Sequence, residues 1–549
     1  MGKLPEEEIT AQVLVIGGGA AGLLAAIEAR RKGLEVILVS KSKVGRSGNT
    51  IMAGTGMAVW APFPETEDSV ELFKHDTFAS GKAINAPEIV DLFVHGSARL
   101  VEKLTAYGVK FKQQGNTLIR KHAPGHSVAR TLTADFSRYP YLTRGLSLTL
   151  PLLETARKAS VRIINYTAII GLLTAEGQVF GAYGINKKTG TMMIFRAGCV
   201  ILSAGGAGGV YARTNNTCDM TGDSFRLAFE AGATLRDMEF VQFYPTMMFS
   251  PFKVTISSPL FGEGAFLRNA RGERFMQNYD EKSDMATRDV MSMAVYNEIR
   301  EGRSDNGNVF MDCSRIDPHV IESRYGELMQ RLKKADIDLK KDQIPISPAA
   351  HFFMGGMAIN QRAETDVLGL LACGESVGGL HGANRLGGNA LTETVVFGLI
   401  AGHRAGDHAS KDRHLPAVPV KDIEAFRTGD IAISDLKKHI QKVTWSGLSI
   451  IRDEKTCLKA LDELESVSAV LSHTRISSVS DIISYYELKS MLSTAELIAR
   501  GALARRESRG AHFRSDFPDT NDFSFRGNLF FRKQGAYPLI LFRSAEKSF

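Results

Sequence analysis

Residues 11–41 read AQVLVIGGGAAGLLAAIEARRKGLEVILVSK, and this stretch decides the fold of the chain. The run VLVI predicts a buried strand, AAGLLAAIEARRKG a helix that ends at Gly33, and EVILVS a second buried strand. Between the first strand and the helix, Gly17, Gly19 and Gly22 have the spacing G-x-G-x-x-G. Such glycines let the backbone approach a pyrophosphate at a helix N-terminus. The stretch therefore predicts a dinucleotide site, with an incidental glycine-rich turn as the alternative.

The end of the second predicted strand bears on the choice of nucleotide. An NAD-binding domain usually has an acidic residue there, which binds the ribose hydroxyls. In this chain the position reads Ser40-Lys41. NAD is therefore a poorer candidate than the glycine motif alone would indicate.

Two further segments repeat the order of apolar strand and then glycines, namely AGCVILSAGGAGG (197–209) and LGLLACGESVGG (368–379). Three such units over a long stretch of chain indicate one parallel-sheet domain that an insertion interrupts. We predict an α/β fold with a Rossmann-like parallel-sheet domain, an inserted α+β capping domain and a C-terminal helical domain. The predicted boundaries are 1–234 and 346–410 for the parallel-sheet domain, 235–345 for the capping domain, and 411–549 for the helical domain and tail.

Composition excludes several classes of protein. The chain has 549 residues, of which 44% are hydrophobic and 23% charged, as in soluble globular proteins. Its net charge is +7, but the sequence has no concentrated block of Lys and Arg. This argues against nucleic acid as a partner. The five cysteines form no CxxC pair, so we expect no disulfide framework and no metal site on this chain. A polar start and the lack of a long apolar run predict no secretory signal and no membrane span.

A series of short segments then occurs in a characteristic order. They read VIGGGAAGLLAAIEARRKG, SKVGRSGNTIMAGTG, MTGDSFRLAFEAGA, EFVQFYPT, GEGAFLRNARGERFM, ATRDVMS, AAHFFMGGM, LLACGE, HGANRLGGNAL and ARRESRGAHFRSDFP. The joint pattern resembles that of the succinate dehydrogenase and fumarate reductase flavoprotein subunits and of L-aspartate oxidases. The resemblance covers about residues 10–520 and implies that the parallel-sheet domain binds FAD.

The resemblance also implies how the cofactor is held. Respiratory members of the family have a histidine in an RSHT segment that bonds covalently to the flavin. Here the segment reads RSGNT, without histidine, so we expect noncovalent FAD. The expected cofactor-binding residues are Gly17, Gly19, Ala21, Gly22, Ser40, Lys41, Ser47, Asn49, Thr50, Ala168, Ala204, Gly205, Asp223, Gly374, Glu375, Asn389 and Leu391.

Three residues are implied to act on a dicarboxylate. Arg385, in HGANRLGGNAL, is suited to clamp one carboxylate through two parallel hydrogen bonds. His351, in AAHFFMGGM, could donate to the other carboxylate, and Arg288, in ATRDVMS, matches the proton-transferring arginine of the family. The structural alternatives are a packed core histidine for His351 and an ion pair at a helix start for Arg288.

The chain also departs from the family pattern. Tyr244 stands where relatives have histidine in QFHPT, and we expect it to reshape one end of the substrate pocket rather than merely to fill a strand end. Ser257 and Ser258, followed by Phe261, replace a Thr-Glu pair and an arginine that relay protons in fumarate reductases. We include Tyr244 and both serines among the candidate catalytic residues, because a hydroxyl can donate to a carboxylate. Ala123 replaces the glutamate with which aspartate oxidases are expected to hold the substrate ammonium.

Taken with the resemblance, these residues favour an FAD-dependent oxidoreductase that acts on a C4-type dicarboxylate. We expect the flavoprotein subunit of a fumarate reductase or succinate dehydrogenase, with hydride transfer at flavin N5. The alternatives are an L-aspartate oxidase and an FAD-bearing electron-transfer subunit with an altered substrate. The expected partner is a separate iron–sulfur or other electron-transfer subunit. The expected location is cytoplasmic, or peripheral to the inner face of the membrane through that partner.

Overall fold

The computed structural model describes residues 4–60, 67–256, 259–409, 415–416, 418–420, 426–535 and 537–545. Within these residues the α-helices are, in chain order, α1 (Ala20–Arg31), α2 (Asn49–Met52), α3 (Val70–Ser80), α4 (Pro87–Ser97), α5 (Leu100–Ala106), α6 (Leu146–Lys158), α7 (Asp223–Glu230), α8 (Pro259–Gly262), α9 (Arg288–Arg300), α10 (Pro318–Lys333), α11 (Asn389–His408), α12 (Ile433–Gly447), α13 (Glu454–Ala469), α14 (Val479–Ala504) and α15 (Asp522–Phe525).

The strands of the same residues are β1 (Glu6–Ile16), β2 (Val36–Val39), β3 (Gly56–Ala58), β4 (Gln113–Gln114), β5 (Thr117–Leu118), β6 (Arg120–Lys121), β7 (Thr131–Thr133), β8 (Arg162–Ile164), β9 (Thr167–Ala175), β10 (Gln178–Asn186), β11 (Met192–Leu202), β12 (Leu235–Arg236), β13 (Val241–Met248), β14 (Val254–Thr255), β15 (Phe266–Arg268), β16 (Val309–Asp312), β17 (Ile344–Phe353), β18 (Gly356–Ala358), β19 (Leu370–Ala372), β20 (Val377–Gly378), β21 (Ile451–Arg452), β22 (Phe513–Arg514), β23 (Gly527–Gln534) and β24 (Tyr537–Ser544).

The central sheet has the order β8-β2-β1-β11-β10-β9, and β19 also pairs with β11. Strand β1 is parallel to both neighbours, with Val13 beside Val36 of β2 and beside Cys199 of β11. The apolar run in β1 is fully buried, as its lack of alternation predicts for a parallel strand covered on both faces. The three strand-then-glycine units of the sequence thus supply β1, β11 and β19 of one sheet.

Helices α1 and α11 cross in close contact beside this sheet. Both present small residues at the crossing, where an added Cβ at Gly402 would lie 2.3 Å from the carbonyl oxygen of Ala25. At Gly398 the corresponding distance to the carbonyl oxygen of Ala21 is 2.9 Å. The glycines therefore allow the backbones to approach, which holds the second part of the parallel-sheet domain against the first.

A second sheet, of order β14-β13-β17-β16-β15, forms the centre of the inserted region and packs against α9. Strand β17 runs across the predicted boundary between residues 345 and 346. Helices α12, α13 and α14 pack on one another after this region, as the pattern of the C-terminal segment predicts. The α/β fold class with a capping region and C-terminal helices is confirmed, whereas the domain boundaries stay predictions. No helix in the described part of the chain is long and apolar enough to cross a membrane.

The C-terminal segment also contains structure that its helical pattern does not predict. Strands β23 and β24 form a hairpin that joins a sheet of order β20-β18-β12-β23-β24. Leu235 of β12 pairs with Phe531 of the hairpin, and it also pairs with Met357 of β18. The end of the chain is thereby attached to the region that connects the parallel-sheet domain to the capping sheet.

We predict that Gly402→Ala lowers the thermal unfolding midpoint, because its Cβ would overlap the backbone of α1. Overpacking of this kind costs about 1–3 kcal/mol. Gly406→Ala is the matched control, since it lies in the same helix and its Cβ would be 3.7 Å from the nearest atom, in Leu34. Differential scanning fluorimetry of both variants should show a lower midpoint for Gly402→Ala only. Equal midpoints would contradict the close crossing.

Candidate functional site

A cavity of about 1010 Å³ lies where β1, β2 and β11 end and where β13 and β17 approach them. Four of the proposed catalytic residues line it, namely Tyr244, Arg288, His351 and Arg385. The proposed cofactor-binding residues that also line it are Gly17, Gly19, Ala21, Ser40, Lys41, Ser47, Asn49, Thr50, Ala204, Gly205, Asp223, Gly374, Glu375 and Leu391. Residues that are up to about 370 positions apart in the chain therefore share one cavity.

Three proposed cofactor-binding residues lie away from the cavity wall. Gly22 packs against the turn that precedes α1, where an added Cβ would lie 1.9 Å from the carbonyl oxygen of Gly17. Ala168 is buried in β9, between the cavity-lining residues Thr167 and Ile169. Asn389 begins α11 and is buried, with its Nδ2 3.5 Å from Oγ1 of Thr77.

The glycine turn between β1 and α1 fits a pyrophosphate. Gly17 has a φ of +119°, and an added Cβ would lie 2.3 Å from the carbonyl oxygen of Ser203, so only glycine fits here. Gly19 is the N-cap of α1 and places no side chain over the first helical turn. The N–H of Ala20 donates to Oγ1 of Thr50 at 3.3 Å, and the next N–H groups at this end of the helix can bind an anion.

After the end of β2, Lys41 joins a partly buried charge network. Its Nζ lies 2.8 Å from Oδ2 of Asp223 and 3.0 Å from Oε1 of Glu487 in α14. Burial opposes the charge of the Lys41 ammonium, but the two carboxylates outweigh burial and raise its pKa above the usual value. Lys437 of α12 holds the other oxygen of Glu487 at 2.7 Å. The nucleotide end of the cavity is therefore built with two side chains of the C-terminal helices, which the sequence pattern did not indicate.

Glu375 follows β19, faces the cavity and forms no ion pair with a cation in the described chain, although the charge of Arg385 acts on it. Asn49 donates to its Oε2 at 2.9 Å, and the backbone N–H of Phe353 donates to its Oε1 at 3.3 Å. Burial raises the pKa of Glu375 to about 7 in spite of these donors. A partly buried carboxyl with spare acceptor capacity is suited to bind the hydroxyls of a ribityl or ribose group.

The guanidinium of Arg385 is buried but has no carboxylate partner among the described residues. Its Nε and Nη2 donate to Oε1 of Gln242 at 3.1 and 2.8 Å, and its Nη1 donates to the carbonyl of Leu386 at 3.3 Å. Phe352 lies against it, with 4.6 Å between Cζ and the ring centre. Burial, and then the nearby charge of Arg288, lower the pKa of Arg385 to about 10. The group remains charged at neutral pH and is available to an anion.

Arg288 is the first residue of α9 and also faces the cavity. Its Cζ lies 5.2 Å from the ring centre of Tyr244, and its buried Nε has no hydrogen-bond partner in the described structure. No described carboxylate forms an ion pair with it, so the ion-pair alternative at the helix start does not hold for Arg288. Asp289, its neighbour in sequence, does not neutralise it.

His351 lies in β17, and its Nδ1 is 3.1 Å from the side-chain amide of Asn215. Burial, followed by the charges of Arg385 and Arg288, holds the pKa of His351 well below its usual range. The imidazole is therefore neutral at physiological pH. A neutral ring can offer one N–H to a ligand, and it adds no further positive charge to a site that already has two.

Tyr244 is 6% exposed in β13 and lines the cavity with its ring. Its hydroxyl donates to the carbonyl oxygen of Ile256 at 2.9 Å, and its ring centre is 5.5 Å from that of His351. Phe261 and Ala123 line the same cavity, so each position that departs from the family pattern and falls within the described structure lies in the site. Ser257 and Ser258 lie outside the described residues.

Two polar residues that the motif analysis did not select support the site. Gln242, in the segment EFVQFYPT, holds Arg385, and Asn216 donates to Oδ1 of Asn215 at 3.3 Å. Both are uncharged amides within or near quoted motifs, and sequence alone offers no signal that separates them from ordinary core or loop residues.

Comparison with known proteins agrees with this geometry. Residues 12–391 match the family described as FAD binding domain, and residues 437–540 match the family described as fumarate reductase flavoprotein C-term. The chain is 38% identical to an uncharacterized FAD-dependent oxidoreductase of Methanocaldococcus jannaschii, covering 94% of this chain and 95% of that protein. It is 36% identical to a fumarate reductase (CoM/CoB) subunit of Methanothermobacter marburgensis, covering 95% and 97%.

Two further similarities widen the comparison. An L-aspartate oxidase of Nostoc sp. is 31% identical over 93% of this chain and 91% of its own length. The solved structure of the Escherichia coli quinol fumarate reductase FrdA superposes with a TM-score of 0.90 at 28% identity, covering 98% of this chain and 97% of that chain.

The glycine turn, the N-terminus of α1 and the partly buried acceptor Glu375 fit the dinucleotide that the FAD binding domain family binds. The protein is therefore an FAD-dependent oxidoreductase. More narrowly, the chain belongs to the succinate dehydrogenase and fumarate reductase flavoprotein family, which includes the L-aspartate oxidases.

We predict that Gly17→Ala weakens FAD binding by about 100-fold or more, because the new methyl group would overlap the backbone of Ser203. Gly33→Ala is the matched control, since Gly33 also has a positive φ, of +81°, but has no atom within 4 Å of an added Cβ. Titration of FAD-free protein with FAD, followed by flavin fluorescence, measures the difference. Equal affinities in the two variants would show that the turn does not bind the cofactor.

We also predict that Glu375 lowers the folding stability of FAD-free protein, and that this effect depends on pH. Its folded-state pKa of about 7 lies above its ordinary value of 4.5, so folding favours the neutral carboxyl. The stability that depends on this carboxyl is complete below about pH 4.5 and is lost as the pH rises through about 7. Glu375→Gln should therefore gain stability relative to the parent between about pH 5 and about pH 8, by up to about 3 kcal/mol. Chemical denaturation of Glu375→Gln and of the parent at both pH values measures the effect. A difference in unfolding free energy between the two proteins that is the same at both pH values would contradict the prediction.

Proposed function

We propose that the protein transfers hydride between FAD and a CH–CH bond of a C4 dicarboxylate, interconverting fumarate and succinate. The observation that carries the proposal is the presence of Arg288 and Arg385 in one cavity, where neither forms an ion pair with a described carboxylate. Leaving guanidinium groups unpaired in a desolvated site costs free energy of folding. Such a site is suited to a ligand that brings two negative charges.

FAD, when bound, supplies the two-electron chemistry. Arg385 would bind one carboxylate through its two remaining N–H groups, which form the parallel fork that fits a carboxylate. His351 would donate to the other carboxylate. Because Oδ1 of Asn215 accepts from Asn216, its amide Nδ2 can donate to Nδ1 of His351, and this leaves the imidazole hydrogen on Nε2.

Arg288 would supply the proton that completes reduction of the double bond. An arginine has a free pKa above about 12, so it gives up a proton only in a desolvated site with a route for reprotonation. Desolvation is consistent with the buried, unpartnered Nε. Phe261 cannot relay a proton from the position where relatives have arginine, so protons must reach Arg288 by a different route in this chain.

We further propose that electrons enter or leave through a separate iron–sulfur or other electron-transfer subunit, and that the protein is cytoplasmic or is held at the inner face of the membrane by that partner. Among the similar proteins are quinol fumarate reductase FrdA and a protein named as a fumarate reductase (CoM/CoB) subunit. The cysteines of the chain are free, and four of the five are buried.

Aspartate oxidation is the second candidate, because L-aspartate oxidases are among the relatives. An aspartate substrate carries an ammonium group, which needs an acceptor in the site. Ala123 lines the cavity with a methyl group where such an acceptor is expected. The pocket therefore favours a substrate without an ammonium group. An FAD subunit without dicarboxylate chemistry is the third alternative, and the unpaired arginines oppose it.

We predict that Arg288→Ala lowers the kcat for fumarate reduction by at least about 100-fold, since it removes the proposed general acid. The assay uses purified FAD-loaded protein with a reduced low-potential dye as electron donor. Arg331→Ala is the matched control, because Arg331 stacks on Phe252 at 4.2 Å much as Arg288 stacks on Tyr244, but it does not line the cavity.

The same assay separates the alternatives. Ammonia release from aspartate, with no reduction of fumarate, would replace the proposal with aspartate oxidation. If Arg288→Ala keeps the parent's activity on fumarate and on aspartate, Arg288 has no role in catalysis. A protein that loads FAD but acts on none of fumarate, succinate and aspartate would favour the electron-transfer alternative.

A further inference from the structure

Gln242 makes an unusually complete set of hydrogen bonds to the loop that carries Arg385. Its Oε1 accepts from both Nε and Nη2 of Arg385, at 3.1 and 2.8 Å. Its Nε2 donates to the carbonyl oxygen of Arg385 and to Oδ1 of Asn384, both at 2.9 Å. Both lone pairs and both hydrogens of the amide are therefore used, and a flipped amide would place its NH₂ group against two guanidinium N–H groups.

These contacts leave a defined part of Arg385 available. A guanidinium has five N–H groups. Gln242 accepts two of them and the carbonyl of Leu386 accepts a third, so within the described structure one N–H remains on Nη1 and one on Nη2. Two N–H groups on the two terminal nitrogens form the edge that binds a carboxylate with two parallel hydrogen bonds.

The backbone around Arg385 is braced independently. The N–H of Ala383 donates to the carbonyl of Gly81 at 3.0 Å, and the carbonyl of Ala383 accepts from Ala511 at 2.9 Å. The loop path is thus held by main-chain bonds, whereas the direction of the guanidinium is held by Gln242. Gln242 is 5% exposed and is not part of the cavity wall, so it reaches a ligand only through Arg385.

The uncharged amide of Gln242 matters as much as its position. A carboxylate in place of the amide would accept the same two N–H groups, but it would cancel the charge of Arg385. The amide fixes the direction of the guanidinium and leaves its full charge. Burial and the charge of Arg288 lower the pKa of Arg385, and the carboxyls of Glu375 and Glu393 offset this only in part, so the guanidinium charge is incompletely compensated.

We propose that Gln242 is a charge-preserving positioning residue, which aims the Nη1/Nη2 edge of Arg385 into the cavity as a binding site for one substrate carboxylate. The inference rests on the proposed function only for the identity of the substrate. The grip itself is a property of Gln242 and Arg385, and any small carboxylate reports on it.

The test uses Gln242→Glu and Gln242→Leu in FAD-loaded protein, with acetate and succinate titrated against the flavin absorbance spectrum. We expect Gln242→Glu to load FAD and to bind both anions about 10- to 100-fold more weakly, the size of one hydrogen-bonded ion pair. Gln242→Leu keeps the charge but loses the direction, so it should weaken both anions less than Gln242→Glu does. In turnover, KM for fumarate should rise more than kcat falls, because a carboxylate clamp acts in ground and transition states alike.

Gln441→Glu is the matched control, since Gln441 is a partly buried amide that donates to the carbonyl of Gly209 at 2.9 Å, away from the cavity. It should leave both dissociation constants unchanged. A Gln242→Glu protein that loads FAD and binds acetate and succinate as tightly as the parent overturns the proposal. If that variant does not load FAD, unchanged anion binding in Gln242→Leu overturns it instead.

The two anions keep this inference separate from the proposed function. If the parent binds acetate but neither binds nor converts dicarboxylates, the proposed substrate is wrong, while the acetate series still tests Gln242. If the parent reduces fumarate and both Gln242 variants bind anions normally, the proposed function stands and the positioning role is wrong. Equal losses of FAD and of thermal stability in both variants, with unchanged anion binding in the loaded fraction, would assign Gln242 to packing alone.

Discussion

The parallel pairing of β1 with β11 runs from Glu6 beside Met192 to Ile16 beside Leu202, and it brings two glycine-rich strand ends together. Gly17 can then approach the carbonyl of Ser203 more closely than any residue with a Cβ could. Strand β19 pairs with the same β11, so Glu375 arrives at the same edge of the sheet. The nucleotide site therefore depends on strand register, because a shift of β1 along β11 would move the glycine turn away from Ser203 and Glu375.

The substrate end of the cavity obeys a different constraint. The nucleotide end balances its charges, with Lys41 between Asp223 and Glu487, whereas neither Arg288 nor Arg385 forms an ion pair with a described carboxylate. A fold selected only for stability would pair these cations or remove them, because burial of unpaired charge is costly. Their position beside a neutral His351 supports the proposed anionic ligand, which would complete the electrostatics of the site.

The sequence predicts the nucleotide end well because the responsible physics is local. A strand, a glycine turn and a helix within about thirty residues form one unit, and its periodicity and glycine spacing can be read directly. The resemblance to the flavoprotein family brings Arg288, His351 and Arg385 to one place, which no local pattern could do. Neither the local patterns nor the resemblance predicts the contacts of Gln242 and Glu487. Gln242 contacts Arg385 and Glu487 contacts Lys41, and each partner is more than a hundred positions away in the sequence. The hairpin β23–β24 is not predicted either, because its pairing partner β12 is remote in sequence.

The C-terminal region contributes contacts that hold residues of the cavity in place. Glu487 in α14 accepts the charge of Lys41, and Lys437 in α12 in turn holds Glu487. At the substrate end, Ala511 donates to the carbonyl of Ala383, two residues before Arg385. The two ends of the cavity are therefore both braced by chain that follows the parallel-sheet domain. Since bracing at two points restricts rotation better than bracing at one, the C-terminal region can keep the nucleotide end and the substrate end in fixed relation while the capping sheet supplies Tyr244 and His351 from the other side.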